Sequence, residues 1–198
     1  MNLLIRDALP EDIPEILSIY SEYVLHSNYT FEYDVPTIEK FTERFMNFTA
    51  WYPWIVCEID GKVRGYAYGS RAFERIAYQW DADVTIYIDK EFHGLGIAKR
   101  LYQVLHHFLK EQGYYNLYAG ITAINLPSIA FHRSVGYSDI GLFHKTGYKR
   151  GEWLDVLWME KQLRTNYGVP EAPVSYKSLD KGMTAEVFRE GSREAIES

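Results

Sequence analysis

Apolar positions recur along the chain with two periods. Between Pro10 and Val24, Ile13, Ile16, Leu17 and Tyr20 fall at helical spacing behind a first-turn proline, which predicts a helix. Leu3 and Ile5 before it read as a short strand. Ser27–Val35 is polar and aromatic without helical period, a loop with a brief extended piece at Thr30–Glu32. Pro36 then opens a second helix carrying Ile38, Phe41 and Phe45. Trp54–Ile59 and Val63–Tyr68 read as strands joined by Asp60-Gly61, a hairpin dipeptide. After a charged loop at Arg71–Arg75, Val84, Ile86 and Ile88 alternate with Asp83, Thr85 and Tyr87, the period of a strand ending at Asp89. His93–Ala98 is a glycine-bearing turn that opens a helix with Leu101, Val104, Leu105, Phe108 and Leu109, closed by Gly113. A strand at Tyr115–Ile121, a helix at Asn125–Val135 and strands at Tyr137–Leu142 and Trp153–Met159 complete the pattern.

The order β-α-α-β-β-β-α-β-α-β-β mixes hairpins with crossovers. It predicts an α+β fold in which helices cover one mixed sheet. Beyond Arg164 the periodicity fades and Pro170, Pro173 and alternating charges appear. Residues 1–163 are therefore expected to form the domain. Residues 164–198 are expected to form a peripheral or partner-packing tail, with an amphipathic helix over Met183–Ile196.

Composition narrows the function classes. Hydrophobic residues at 47% against 24% charged exclude general disorder, and 16% aromatics suit a large core and an aromatic-lined cleft. A net charge of −6 without a Lys/Arg tract argues against a nucleic-acid surface but leaves room for a local anion site. The single Cys57 excludes an internal disulfide and reads as a buried core thiol. Without CxxC or HExxH, no metal is expected. His106-His107 reads as a solvated helix face rather than a metal pair, since neighbours on a helix diverge by about 100°. No apolar run approaches the roughly 18 residues of a membrane span, and the acidic start is unlike a signal peptide, so a cytoplasmic protein without a membrane partner is expected.

The chemistry concentrates between Ile86 and Leu101, where a strand runs through a glycine turn into an amphipathic helix. Unpaired amides at such a helix start, with the positive end of its dipole, suit a diphosphate. Gly94 and Gly96 keep side chains out of the way, and Ala98 keeps the first turn slim. No GK[ST] or GxGxxG follows, so this is neither a Walker loop nor a Rossmann turn. Taken alone, two glycines fit a plain tight turn equally well.

His93-Gly94-Leu95-Gly96-Ile97-Ala98 resembles the (Q/R)xxGxG/A loop of the GNAT acetyltransferase superfamily. Within it, the chain resembles the phosphinothricin and methionine sulfoximine N-acetyltransferase group. The matching pieces are Thr30-Phe31-Glu32, Tyr52-Pro53-Trp54, Arg71-Ala72-Phe73, Tyr78-Gln79-Trp80, Asn125-Leu126-Pro127-Ser128, His132, Gly136-Tyr137 and Tyr148 to Asp155. They run in unbroken order between residues 3 and 162.

The resemblance implies a three-layer α/β/α fold whose mixed, mostly antiparallel sheet splays at the acetyl-CoA site. It implies acetyl transfer from acetyl-CoA to the amine of a small amino-acid-like acceptor, directly in a ternary complex. Other amines (a polyamine, an aminoglycoside, a protein N-terminus) and a non-catalytic acyl-CoA-binding module stand as alternatives. Residues His93, Gly94, Leu95, Gly96, Ile97, Ala98 and Lys99 would hold the diphosphate, Tyr87 and Ile88 the thioester carbonyl, and Asn125 and Ser128 the pantetheine arm. Asp83 takes the place of the family's glutamate base and, one methylene shorter, would act through a water. His132 would be an acid or an orienter, and Phe31, Arg71, Arg75, Tyr78 and Trp80 would meet the acceptor. Group members are often dimers, so a homodimer is expected.

Two further departures stand out. His93 replaces Gln or Arg, and Phe73 replaces a Lys of some relatives, which weighs against phosphinothricin itself. Each site residue also has a plain alternative. Asp83 can simply start a strand, His132 can be a core histidine and His93 can face solvent. Arg71 and Arg75 can be surface charges, and Phe31, Tyr33 and Trp80 can be packing residues.

Overall fold

A computed structural model describes residues 2–165 and 168–193. Strand β1 (Leu3–Asp7) leads through a short 3-10 turn at Pro10–Asp12 into α1 (Ile13–His26), followed by α2 (Ile38–Thr49). Next come β2 (Trp54–Ile59), β3 (Lys62–Arg71), β4 (Asp81–Ile88) and α3 (Ile97–Gln112). Strand β5 (Asn116–Thr122), α4 (Leu126–Ser134), β6 (Ser138–Lys149), β7 (Glu152–Gln162) and α5 (Lys181–Arg193) follow. The strands form one seven-stranded sheet in the order β1-β2-β3-β4-β5-β7-β6. Only β4 and β5 run parallel, as expected of a helix crossover, and the other neighbours are antiparallel.

The predicted alternation decides which face each core uses. Ala82, Val84 and Ile88 of β4 join the core beneath α3, with Leu101, Leu105, Phe108 and Leu109 fully buried there. Tyr87 points the other way, into a second core where Ile16, Tyr20, Phe41 and Phe45 of α1 and α2 meet Trp54, Val56 and Tyr66. Helices on both faces of an open mixed sheet make the three layers.

The β4–β5 pair carries the functional consequence. Asp81–Asp83 pair with Asn116–Tyr118, and the register stops there although β4 runs on to Ile88 and β5 to Thr122. Beyond Asp83 the strands part, while β4 stays paired to β3 as far as Ile88 and β5 to β7 along its length. The expected splay is therefore present.

Three details differ from the sequence reading. The loop after α1 holds no strand at Thr30–Glu32. Strand β6 reaches the turn at Arg150-Gly151, much farther than the expected end at Leu142, because His144–Tyr148 is largely exposed and bulged and shows no apolar alternation, while β7 starts at Glu152, next to the expected Trp153. His106 is buried rather than solvated, with its Nε2 2.9 Å from the Tyr137 hydroxyl; His107 is the exposed one. The tail is fastened to the body. Gly191 lies so close to α3 that a Cβ there would come within 2.5 Å of Val104, and the Tyr176 hydroxyl donates to Asp7 at 2.7 Å. Residues 194–198, the end of the expected Met183–Ile196 helix, lie outside the described residues. Cys57 is buried in β2, which pushes its thiol up to about 12 and leaves it inert, as expected.

Candidate active site

The parting of β4 from β5 opens a cleft of about 510 Å³. Val84–Ile88 form one wall, Ala119–Ile121 the other, and the start of α3 and the start of α4 close the ends. Strand backbone that has lost its neighbour keeps its donors and acceptors, so the wall of β4 offers ladder groups to a ligand.

At one end, Gly94 and Gly96 adopt φ of 79° and 74°, the left-handed region that favours glycine. A Cβ at either would meet nothing within 4 Å, so the turn needs glycine for its backbone path and leaves the approach open. Gly96 caps α3 without a side-chain oxygen. The amides of Ile97, Ala98 and Lys99 therefore begin the helix unpaired beside the cleft. Gly94, Ile97, Ala98 and Lys99 line it, whereas Leu95 turns away into the core under α3.

His93 lines the cleft but is held by α1. Its Nε2 lies 2.9 Å from the Tyr23 hydroxyl and 3.2 Å from the Ile88 carbonyl, and Tyr23 donates to that same carbonyl at 2.5 Å. With the tyrosine proton on Ile88, Nε2 is the protonated nitrogen and donates inward.

At the other end, Asn125 caps α4, its Oδ1 accepting from the Ser128 amide at 3.3 Å, and both residues line the cleft. His132 Nδ1 donates to the Ser128 carbonyl at 2.8 Å, which fixes the tautomer. Nε2 is then an acceptor, and the Tyr102 hydroxyl 2.9 Å away donates to it. Burial lowers the His132 pKa, so the ring is neutral. Tyr102 lines the same wall, and the sequence reading missed it. The available signal was a tyrosine among aliphatics on the buried stripe of α3, where a hydroxyl needs a partner.

Asp83 is the last residue before the strands part and sits just outside the cleft lining. Its registered neighbours are Ser70 of β3 and Tyr118 of β5. Ala82 and Val84 face α3, so Asp83 points to the opposite face. Burial pushes its carboxyl up to about 7, and no cation pulls it back. A carboxyl held near neutrality at the root of a cleft is suited to general-base work.

The expected acceptor residues are scattered by comparison. None of Phe31, Arg71, Arg75, Tyr78 and Trp80 lines the large cleft. Phe31 lies flat on Gly147, where a Cβ would strike its ring at 2.1 Å. Phe73 packs against Tyr78 at 5.1 Å and Tyr118 at 5.4 Å, an aromatic run leading outward from the neighbour of Asp83. Arg71 lies 3.7 Å from Glu74, and Arg75 is exposed. Trp80 is drawn elsewhere: its Nε1 donates to the Glu171 carbonyl at 2.7 Å, and it lines a small pocket with Gly168 and Pro170 of the tail. Among the described residues no cluster of His, Cys, Asp and Glu could hold a metal ion.

Residues 5–158 match the family described as an acetyltransferase (GNAT) domain. The chain is 32% identical to phosphinothricin N-acetyltransferase of Streptomyces viridochromogenes over 152 residues, covering 77% of this chain and 83% of that protein. It is 31% identical to the L-methionine sulfoximine/L-methionine sulfone acetyltransferase of Pseudomonas paraeruginosa over 181 residues, 86% of this chain and all 100% of that one. The crystal structure of a GNAT superfamily phosphinothricin acetyltransferase from Sinorhizobium meliloti, in complex with AcCoA, superposes with a TM-score of 0.81 at 33% identity. It covers 90% of this chain and 100% of its own. A splayed mixed sheet, a left-handed glycine turn at a helix start and a family match spanning both place the chain in the GNAT acetyltransferase family.

Proposed function

We propose that this acetyltransferase moves acetyl from acetyl-CoA to the amine of a small amino-acid-like acceptor, by direct attack in a ternary complex. The observation that carries the proposal is Asp83, a carboxyl raised to about 7 at the root of a cleft whose far end is a diphosphate-sized amide cradle. The relatives named for phosphinothricin and methionine sulfoximine support the acceptor class.

The residues present fit acetyl-CoA. The turn at Gly94–Gly96 and the open amides of Ile97–Lys99 suit its diphosphate, and Asn125 and Ser128 suit the amide-bearing arm. Acetyl-CoA supplies a thioester-activated acetyl group. The acceptor amine is mostly protonated at neutral pH and must lose a proton to become a nucleophile. Asp83 takes it, through a water because the carboxylate stands outside the cleft lining. The backbone amide of Ile88, next to Tyr87 on the freed wall of β4, meets the carbonyl oxygen as charge develops on it, the Tyr87 amide facing β3 instead. His132 orients rather than donates: its one hydrogen rests on the Ser128 carbonyl and its lone pair accepts the Tyr102 hydrogen, and coenzyme A leaves as the thiolate. Arg75 and Phe31 meet the acceptor's acid and side-chain ends.

The same reading takes the enzyme as a homodimer. Support comes from Leu142, Phe143, Tyr148 and Trp153, large apolar residues left exposed on the β6–β7 hairpin. Sedimentation should give twice the 23.2 kDa chain mass.

The test is coenzyme A thiol release from acetyl-CoA against methionine sulfoximine, methionine sulfone, phosphinothricin, a polyamine, an aminoglycoside and a short peptide. Turnover confined to the first three is expected. Turnover on a cationic acceptor alone would overturn the acceptor class, and tight acetyl-CoA binding without any turnover would point to a binding module.

A further inference from the structure

Lys149, the last residue of β6, is only 2% exposed although it carries an ammonium. Burying such a charge is expensive unless its hydrogens are matched. No carboxylate matches them among the described ion pairs. Instead Nζ donates to the Val24 carbonyl at 3.0 Å and the Thr30 carbonyl at 2.8 Å. Val24 belongs to the last turn of α1, whose carbonyls have no helical partner. Thr30 belongs to the loop that follows it.

The end of α1 and the loop are tied to the same hairpin at three more points. Arg150 donates to the Leu25 carbonyl at 2.7 Å, the Tyr33 hydroxyl donates to the Tyr148 carbonyl, and the Phe31 ring covers Gly147. From Thr30 the linkage continues inward. Its Oγ1 lies 2.8 Å from the Tyr20 hydroxyl, and Tyr20 packs on Tyr87 at 5.0 Å. Tyr87 lines the cleft, and so does Tyr29 of the loop itself.

We propose that Lys149 is a positioning residue for the acceptor: its ammonium clamps the loop between Ser27 and Tyr33 onto the β6–β7 hairpin, so that Tyr29 is held in the cleft wall with Thr30 and Phe31 anchored behind it. The geometry separates the two substrates. The clamp makes no direct contact with the glycine turn or α4, so its direct effect falls on the acceptor side and reaches the acetyl-CoA side only through Tyr20 and Tyr87. A neutral glutamine keeps much of the packing but is shorter and offers the two carbonyls weaker, uncharged donors.

This inference rests on the proposed acetyl transfer, and two readouts keep the two apart. In Lys149→Gln, the acceptor KM should rise about tenfold to thirtyfold, with acetyl-CoA affinity within about twofold of wild type and kcat changed less than KM. Lys149→Arg should recover part of the loss. Gly147→Ala, which keeps the charge and pushes only on Phe31, should raise the same KM. Amide hydrogen exchange, which needs no acceptor, should show faster exchange in residues 28–33 of Lys149→Gln and unchanged exchange in β4 and α3. An unchanged acceptor KM, an equal loss of both substrates, or an unaltered loop exchange would each overturn the clamp. Wild-type protein that acetylates no acceptor, with the loop still loosened in the variant, would overturn the transfer reading and leave the clamp standing.

Discussion

The two sides of the cleft are built by different means. The side proposed for acetyl-CoA comes from two short runs, Val84–Lys99 and Ala119–His132. Its shape follows from a strand that ends its pairing at Asp83 and a turn that only glycine takes easily. The acceptor side is assembled from distant segments: the loop after α1, the stretch around Phe73 to Tyr78, and the β6–β7 hairpin, held together by side chains such as Lys149 and Phe31. A site made of local backbone tolerates surface change and keeps its ligand. A site made of long-range side-chain contacts is easier to retune.

The largest effect should come where the two sides meet. Asp83→Asn removes the base, so kcat should fall by about a hundredfold to ten-thousandfold while acetyl-CoA still binds, as read by calorimetry. Equal loss of binding would show that Asp83 shapes the cofactor side instead. The same substitution carries a stability signature. The folded-state carboxyl is raised to about 7 from its ordinary value of 3.8, so ionising it opposes folding. The penalty is absent below the unfolded pKa, grows as pH rises and is complete above about 7. The Tm gain of Asp83→Asn should therefore grow from pH 4 to pH 7 and then level off.

Gly96→Val attacks the cofactor side alone. A β-branched residue at a φ of 74° is strained by at least about 1–2 kcal/mol, and acetyl-CoA affinity should weaken about tenfold or more. The acceptor KM at saturating acetyl-CoA should stay near wild type. Arg75→Ala addresses the opposite side, and a rise of about tenfold in acceptor KM at constant acetyl-CoA affinity is expected. An unchanged KM would return Arg75 to the surface charges. Smallest of all is Trp80→Phe. It loses the bond to Glu171, worth about 1 kcal/mol, so Tm should drop slightly while both KM values hold.

The sequence made the first side legible and the second only in part. Alternation at Val84, Ile86 and Ile88 and the glycines at 94 and 96 state a strand, a turn and a helix in one uninterrupted stretch, which period and turn chemistry read directly. Cys57 likewise declared itself as core. What escaped depends on partners far along the chain. The long hairpin shows little alternation because most of β6 is exposed, and the buried state of His106 depends on Tyr137. Trp80 had two destinations in the sequence, the acceptor or packing, and only a tail more than ninety residues later decides for packing. His132 and Tyr102 sit on separate helices, so their hydrogen bond could not be read from spacing.

The pH dependence of kcat/KM for a turned-over amino-acid-like acceptor, taken from pH 5.5 to 9, addresses the base most directly. A rising limb with an apparent pKa near 7, absent in Asp83→Asn, is the predicted result. A limb only at the acceptor's own amine pKa, identical in wild type and variant, would contradict it.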